Sequence, residues 1–140
     1  MILTSERYSM KRFGGCLLLA LGLPTAASAE GLPEWSIWKN PRESLLIVTT
    51  VDTTAGTFAG TFINNAKGYK CQGFGVPIKG RITGNTVAFV ANFAPCANTI
   101  TAWKGSISDK TISTNWQLWS ADDNGDFKEL KNDDIFTRVN

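Results

Sequence analysis

Three stretches of the sequence alternate small polar residues with bulky aromatic or aliphatic ones. They read GTFAGTFINN, TITAWKGSI and TISTNWQLW. Alternate side chains of a β-strand point to the same side, so each stretch predicts a strand with two unlike faces. Hydroxyl and amide groups would then share a face with Trp and Phe side chains. Such a face predicts noncovalent binding of a small, partly polar ligand.

The sequence gives little support for catalysis. It contains no histidine, and no nucleophile elbow, glycine-rich phosphate loop or metal-ligand cluster is found in it. Asp122, Asp123 and Asp126 predict a solvated loop, because a calcium loop needs more ligands at regular spacing and a later glutamate. Asp133 and Asp134 leave a glycosidase-type carboxylate pair as the weaker alternative, since adjacent strand residues face opposite ways. We therefore expect no enzyme activity, no metal site and no cofactor.

Short β-branched and aromatic runs, separated by turn signals about every ten residues, predict an all-β fold. The eight predicted strands are Ser36–Lys39, Ser44–Val51, Thr57–Asn64, Val76–Thr83, Thr86–Phe93, Thr99–Ile107, Thr111–Ser120 and Asp134–Val139. Short links between them, with a longer loop beginning at Asp122, predict an antiparallel up-and-down order. Eight such strands can close into a barrel that leaves no edge exposed and encloses room for one small ligand.

The alternation assigns faces to these strands. The predicted lumen-facing set is Phe58, Gly60, Phe62, Asn64, Phe89, Ala91, Phe93, Thr99, Thr101, Trp103, Thr114, Trp116 and Leu118. The predicted outward apolar set is Leu45, Ile47, Ile63, Val90, Ile100 and Trp119. Contiguous outward apolar groups are typical of an interface, which predicts an oligomer. Scattered exposed hydrophobic residues on a monomer are the alternative.

The first 29 residues have the pattern of a secretory signal peptide. Basic residues follow Met10, the apolar run from Cys16 to Leu23 is too short to span a bilayer, and small residues lead to a cleavage site after Ala29. Met10 is an alternative start of translation. These residues carry the whole formal net charge of +2. A neutral single domain at 30–140, secreted or periplasmic, is therefore expected, without affinity for nucleic acid or a membrane.

After cleavage, Cys71 and Cys96 would remain as a pair in an oxidising compartment. A disulfide between them is the expected state. A zinc site is the competing interpretation, but two cysteines without a histidine make a poor ligand set. Closing a loop of this length stabilises the fold by roughly 3 kcal/mol in the chain-entropy model.

Six segments, taken in order, resemble the avidin/streptavidin family of biotin-binding proteins. They are WKNPRES, GTFAGTF, AFVANF, TAWKG, NWQLW and DIFTRV, and the resemblance extends from Trp38 to Val139. It implies a barrel that holds biotin by its ureido ring, its thiophane sulfur and its valerate tail. The placement of Cys71 and Cys96 looks like that of the disulfide-containing dimeric branch. A homodimer is therefore expected, with a homotetramer as the alternative.

The resemblance also implies roles for single polar residues. Asn40 and Ser44 match the donors to the ureido oxygen. Asn64 and Asp134 match the acceptors for the two ureido N–H groups, and Thr101 matches the hydroxyl that faces the sulfur. Asn40 and Ser44 also have a purely structural alternative, as turn residues that bond their own backbone. Asp134 has one as an ordinary acid near a strand end.

The remaining members of the expected ligand-binding set are Ala66, Thr99, Trp103, Trp116, Leu118, Phe62 and Phe93. Trp103, Trp116 and Leu118 match the apolar walls around the bicyclic ring, and Thr99 matches a group near the carboxylate. Filling of the barrel is the structural alternative for the two tryptophans.

Two members of this set depart from the family pattern. Phe62 stands where the family usually has a tyrosine, which removes one donor to the ureido oxygen. Phe93 stands where a tryptophan usually lines the site. The nearest match to the tryptophan that a neighbouring subunit contributes in tetrameric members is Phe127, and it needs a gap in the alignment.

Two other functions fit a small secreted barrel. One is a protease inhibitor whose N-terminal segment, Glu30–Trp35, blocks an active site. The other is a barrel that binds a different cyclic ligand or a lipid. The polar lumen residues disfavour a lipid, because burying them against a hydrocarbon would leave their hydrogen bonds unmade.

Overall fold

The computed structural model describes residues 31–94 and 96–140, and the predicted signal peptide lies outside them. It forms a closed antiparallel barrel in which each strand pairs with the next in the chain, which confirms the predicted fold. The strands are β1 Ser36–Lys39, β2 Leu45–Asp52, β3 Thr57–Ile63, β4 Gly75–Thr83, β5 Thr86–Asn92, β6 Thr99–Ser108, β7 Thr111–Ala121 and β8 Phe127–Arg138.

The barrel closes through a short seam between β1 and β8. Trp38 pairs with Arg138 and Lys39 pairs with Thr137. Because the strands run alternately up and down, the loops that follow β1, β3, β5 and β7 all lie at one end of the barrel. We call this the loop end, and it carries the candidate site.

Inward side chains of all eight strands fill the interior. Trp38, Leu46, Val48 and Phe136 are fully buried, and Leu32, which precedes β1, packs into the same core. Gly60 lies where β2 changes register between Val48 and Thr50. A Cβ at Gly60 would lie 1.8 Å from the Ile47 carbonyl oxygen, so only glycine allows β2 and β3 to approach this closely.

The last strand begins earlier than the sequence predicts. We expected it at Asp134–Val139, but β8 starts at Phe127, where this residue pairs with Ala121. The segment from Phe127 to Asp133 is exposed throughout and rich in charged residues, so it has no alternation of buried and exposed positions. It is a strand because it continues the ladder along β7. The expectation of a strand only from Asp134 was therefore wrong.

The outer surface has a broad concave region of about 1360 Å³ that spans from β2 to β8. One row across it consists of Lys79, Val90, Ala102, Gln117 and Lys131, which are paired in register. We call this concave region the outer face. Of the apolar residues expected to point outward, Val90 and Ile100 are exposed, and the others are half-buried.

A disulfide joins Cys71 to Cys96, and their Cα atoms lie 5.9 Å apart. It links the loop after β3 to the loop after β5, so it lies at the loop end. The expected pairing is thereby confirmed. Within residues 31–94 and 96–140, no helix is long and apolar enough to cross a membrane.

Candidate functional site

A cavity of about 130 Å³ opens at the loop end of the barrel. Its wall contains eleven of the twelve residues that the sequence singles out. These are Asn40, Ser44, Phe62, Asn64, Ala66, Phe93, Thr101, Trp103, Trp116, Leu118 and Asp134. The twelfth, Thr99, is buried nearby but does not line the cavity. Residues from six strands or their loops therefore meet at one place, as alternation and loop position together require.

Asn40 follows β1 and organises the loop into β2. Its Oδ1 accepts hydrogen bonds from the backbone N–H groups of Arg42, at 3.0 Å, and Ser44, at 2.9 Å. Its Nδ2 donates to Asp134 Oδ2 at 2.7 Å. The structural alternative, a turn residue that bonds its own backbone, therefore holds for the side-chain oxygen of Asn40. Since an amide nitrogen carries two hydrogens, one N–H remains after the bond to Asp134.

Ser44 and Asn64 lie side by side at the cavity wall. The Ser44 hydroxyl accepts from the backbone N–H of Asn65 at 3.0 Å and approaches Asn64 Oδ1 at 3.5 Å. Asn64 Oδ1 also accepts from the N–H of Ala66 at 2.9 Å, which begins the loop after β3. Both side chains are therefore fixed by backbone groups while their polar atoms face the cavity.

Asp134 supplies a buried carboxylate, with 7% of its surface exposed. It lies opposite Thr114 in the ladder, and the Thr114 hydroxyl donates to the Asp134 carbonyl oxygen at 3.1 Å. Arg42 places its guanidinium 3.4 Å from Asp134 Oδ2 and 5.6 Å from the ring centroid of Trp116. Both donors, Asn40 and Arg42, use Oδ2. Oδ1 is therefore the oxygen left to accept a further N–H.

Aromatic rings form the apolar part of the wall. Phe62 packs tilted against Trp103 with 4.7 Å between centroids and meets Phe93 edge to face at 6.1 Å. Edge-to-face and offset contacts at these distances are favourable and hold the rings in fixed orientations. Trp116 lies directly opposite Trp103 in the β6–β7 ladder. Together these four rings form the apolar side of the cavity wall.

Sequence reasoning missed two cavity residues, Arg42 and Tyr69. Both lie in loops, where no periodicity shows which way a side chain points. Tyr69 lies two positions before Cys71, and its ring meets Phe93 edge to face at 5.8 Å. Burial raises the pKa of the Tyr69 phenol above its ordinary value of about 10, and the neighbouring Thr99 side chain partly offsets this. The phenol is therefore protonated at neutral pH.

Three donors around this cavity are buried without a hydrogen-bond partner among the described residues. They are the Tyr69 hydroxyl and the indole nitrogens of Trp103 and Trp116. Native proteins leave few buried polar groups unpaired, and each one calls for an explanation. The wall of this cavity therefore holds donors that are free to bond a molecule that enters it. The described residues contain no cluster of three or more His, Cys, Asp or Glu side chains suited to a metal ion.

Comparison with known proteins identifies the family. The model of the avidin family matches residues 31–139. Afifavidin from Afifella pfennigii is 33% identical over 124 residues, which cover 82% of this chain and 76% of that protein.

Solved structures agree with this match. The bradavidin2–biotin complex is 41% identical with a TM-score of 0.71, and the match covers 77% of this chain and 99% of that one. The rhizavidin–biotin complex is 28% identical with a TM-score of 0.68, covering 75% of this chain and 92% of that one. The match of the family model over almost the whole described barrel, together with these relatives, shows that this chain belongs to the avidin family.

Proposed function

We propose that this protein binds biotin in the cavity at the loop end of the barrel, without catalysis, one molecule per chain. The observation that carries the proposal is the buried group formed by Asn40, Ser44 and Asp134 beside Trp103 and Trp116. Membership of the avidin family and the likeness to two biotin complexes support it.

The ureido ring of biotin has one carbonyl oxygen and two N–H groups. The free N–H of Asn40 and the Ser44 hydroxyl are suited to donate to that oxygen. Asp134 Oδ1 is suited to accept from one ureido N–H, and Asn64 Oδ1 from the other. Fixed donors and acceptors in a dry pocket polarise one another and strengthen the whole network. Because a rigid barrel holds them, little ordering is left to be done on binding.

The rest of the ligand meets apolar groups. Trp103, Trp116 and Leu118 would enclose the bicyclic ring, and the Thr101 hydroxyl would face its sulfur. Phe62 lacks the hydroxyl of the usual tyrosine, so affinity is expected to lie below the family's upper range. We expect a Kd in the nanomolar range or tighter, about −12 kcal/mol or better.

We further propose that the protein is exported through cleavage of residues 1–29 and acts in the periplasm or outside the cell. The disulfide between Cys71 and Cys96 supports an oxidising compartment. The proposed assembly is a homodimer that packs through the outer face. Exposed Val90 and Ile100 and half-buried Trp119 lie on that side of the barrel, where a partner would cover them.

No specific observation favours either of the alternative functions, which were a protease inhibitor and a barrel that binds a different cyclic ligand or a lipid. The segment before β1 is tied to the barrel, because Leu32 is buried and the Glu34 carboxylate accepts from the N–H of Val51 at 3.0 Å. A segment held in this way is poorly placed to enter the active site of a protease. The polar wall of the cavity disfavours a lipid.

Thermal unfolding in the presence of biotin tests the proposed function. At a biotin concentration thousands of times above Kd, ligand binding stabilises the fold by about 4 kcal/mol or more, which raises Tm by more than 10 °C. Lipoic acid, which has an acid tail but no ureido ring, serves as the control and should leave Tm unchanged. Equal shifts with both compounds, or none with biotin, would contradict the proposal.

A further inference from the structure

The loop that carries Tyr69 is held firmly in place. The Tyr69 N–H donates to the Ala66 carbonyl at 3.2 Å, and the N–H of Gln72 donates to the Tyr69 carbonyl at 3.0 Å. Two positions later, Cys71 is bonded to Cys96 in the loop after β5. The Tyr69 ring also packs edge to face on Phe93. The position of the phenol is therefore fixed from both sides of the cavity.

The Tyr69 hydroxyl is buried, borders the cavity and has no hydrogen-bond partner among the described residues. Thr99 lies close enough to the phenol to lower its pKa, but it makes no hydrogen bond of normal geometry to it and does not line the cavity itself. Tyr69, and not Thr99, therefore borders the space that a ligand would enter. Because the phenol is protonated at neutral pH, it offers a donor there.

The charges of this part of the chain favour an anionic group. No Asp or Glu occurs between Thr53 and Ser108, a segment that includes the loops after β3 and β5. Lys67 and Lys70 flank Tyr69 in its own loop and are exposed. Asp134, by contrast, lies on β8. A ligand with N–H groups and a carboxylate would accordingly turn its N–H groups toward Asp134 and its carboxylate toward Tyr69.

We propose that the Tyr69 hydroxyl donates a hydrogen bond to the acid tail of the ligand and selects for it, in the role that the family resemblance gives to Thr99. This inference rests on the proposed function. A phenol held by the loop and the disulfide loses little freedom on forming such a bond. Hydrogen bonds to a charged acceptor are the stronger kind, so the contact contributes to affinity for a free carboxylate.

Two variants and two ligands test the proposal by titration calorimetry on the full chain. Tyr69→Phe removes only the hydroxyl and keeps the ring against Phe93. Thr99→Val is the comparison variant, since it removes the hydroxyl to which the family resemblance gives this role. The ligands are biotin and its bicyclic ureido ring without the valerate tail. Tyr69→Phe should weaken biotin binding about ten- to a hundredfold and leave binding of the tail-free ring unchanged within about twofold. Thr99→Val should change both by less than about threefold.

The possible results distinguish an error in the role of Tyr69 from an error in the proposed function. If the unaltered protein binds no biotin, the proposed function is wrong, and the role of Tyr69 in binding biotin is wrong with it. If it binds biotin and Tyr69→Phe binds equally well, only the role of Tyr69 is wrong. Equal losses of affinity for both ligands would mean that the phenol contacts the bicyclic ring of biotin and not its acid tail. That result would also overturn the proposal. A large effect of Thr99→Val with none from Tyr69→Phe would return the role to Thr99.

Discussion

Asn40 donates a hydrogen bond from Nδ2 to Asp134 Oδ2 over 2.7 Å, across 94 positions of sequence. Asn40 follows the first strand and Asp134 lies on the last one, so the bond spans the seam at which the barrel closes. The same two side chains face the cavity. The same hydrogen bond therefore links the first and last strands of the barrel and forms part of the polar wall of the cavity.

Asp134→Ala should weaken biotin binding strongly. The substitution removes an acceptor for a ureido N–H and leaves the Asn40 amide without its partner, at a cost of about 3 kcal/mol, or roughly a hundredfold. Asp133→Ala is the matched control, because Asp133 is exposed and bonds Asn115 on the opposite side of the strand. Equilibrium titration of both variants measures the difference. Equal affinities in the two variants would remove Asp134 from the site.

Phe62→Tyr should tighten binding. Phe62 borders the cavity, and a hydroxyl there would supply the donor that the family resemblance predicts at this position. The expected gain is about 1 kcal/mol, or roughly fivefold, seen mainly as slower dissociation, since a preformed pocket changes the entry rate little. Phe136→Tyr is the control. Phe136 is fully buried in contact with Phe62 but away from the cavity, so its variant should lose stability and gain no affinity. Weaker binding by Phe62→Tyr would show that the ureido oxygen does not lie beside this ring.

Removing the disulfide should affect both stability and release of the ligand. The double variant Cys71→Ala/Cys96→Ala loses roughly 3 kcal/mol, which lowers Tm by about 10 °C. Biotin should also dissociate faster, because the bond holds the loop of Tyr69. A lower Tm with an unchanged dissociation rate would limit the bond to a structural role.

A charge placed on the outer face should prevent assembly. Val90→Glu puts a carboxylate in the middle of the concave region, where a partner subunit would have to bury it. Thr86→Glu lies on the same side of β5 but outside that region. Light scattering should give a dimer for the unaltered protein and for Thr86→Glu, and a monomer for Val90→Glu. A monomeric unaltered protein would refute the proposed interface.

The raised pKa of Tyr69 predicts how stability changes at high pH. Because the folded-state pKa exceeds the ordinary value of about 10, the unfolded chain loses this proton first as pH rises. The contribution of Tyr69 to the free energy of unfolding is constant below pH 10 and is lost as pH rises from there through the folded-state pKa. Unfolding by urea between pH 8 and 12 should therefore show a steeper decline for the unaltered protein than for Tyr69→Phe. Parallel declines would mean that the phenol ionises as easily in the folded state.

The strands that the sequence predicted well are those with one buried and one exposed face. In β5, Val87, Phe89 and Ala91 are buried between exposed neighbours, and the alternation alone identifies that strand. The start of β8 was missed because Phe127 to Asp133 is exposed on both sides and is held only by pairing with β7. Hydrophobic periodicity carries no signal for such a segment.

The residues of the candidate site likewise fall into those that the sequence predicted and those that it missed. Trp103 and Trp116 were found because alternation and family resemblance point to the same residues. Arg42 and Tyr69 were missed because their directions are set by loop geometry. The turn around Asn40 places Arg42, and the bond between Cys71 and Cys96 fixes the loop of Tyr69. The first is a local turn and the second a contact between distant loops, and hydrophobic alternation encodes neither.

Titration calorimetry of the unaltered protein with biotin tests the central claim most directly. If the polar groups of this cavity bind the ureido ring beside Trp103 and Trp116, the titration should give strong heat release and a stoichiometry of one biotin per chain. The expected Kd is nanomolar or tighter. Absence of heat at excess biotin, together with an unchanged Tm, would contradict the claim that this cavity is a biotin site.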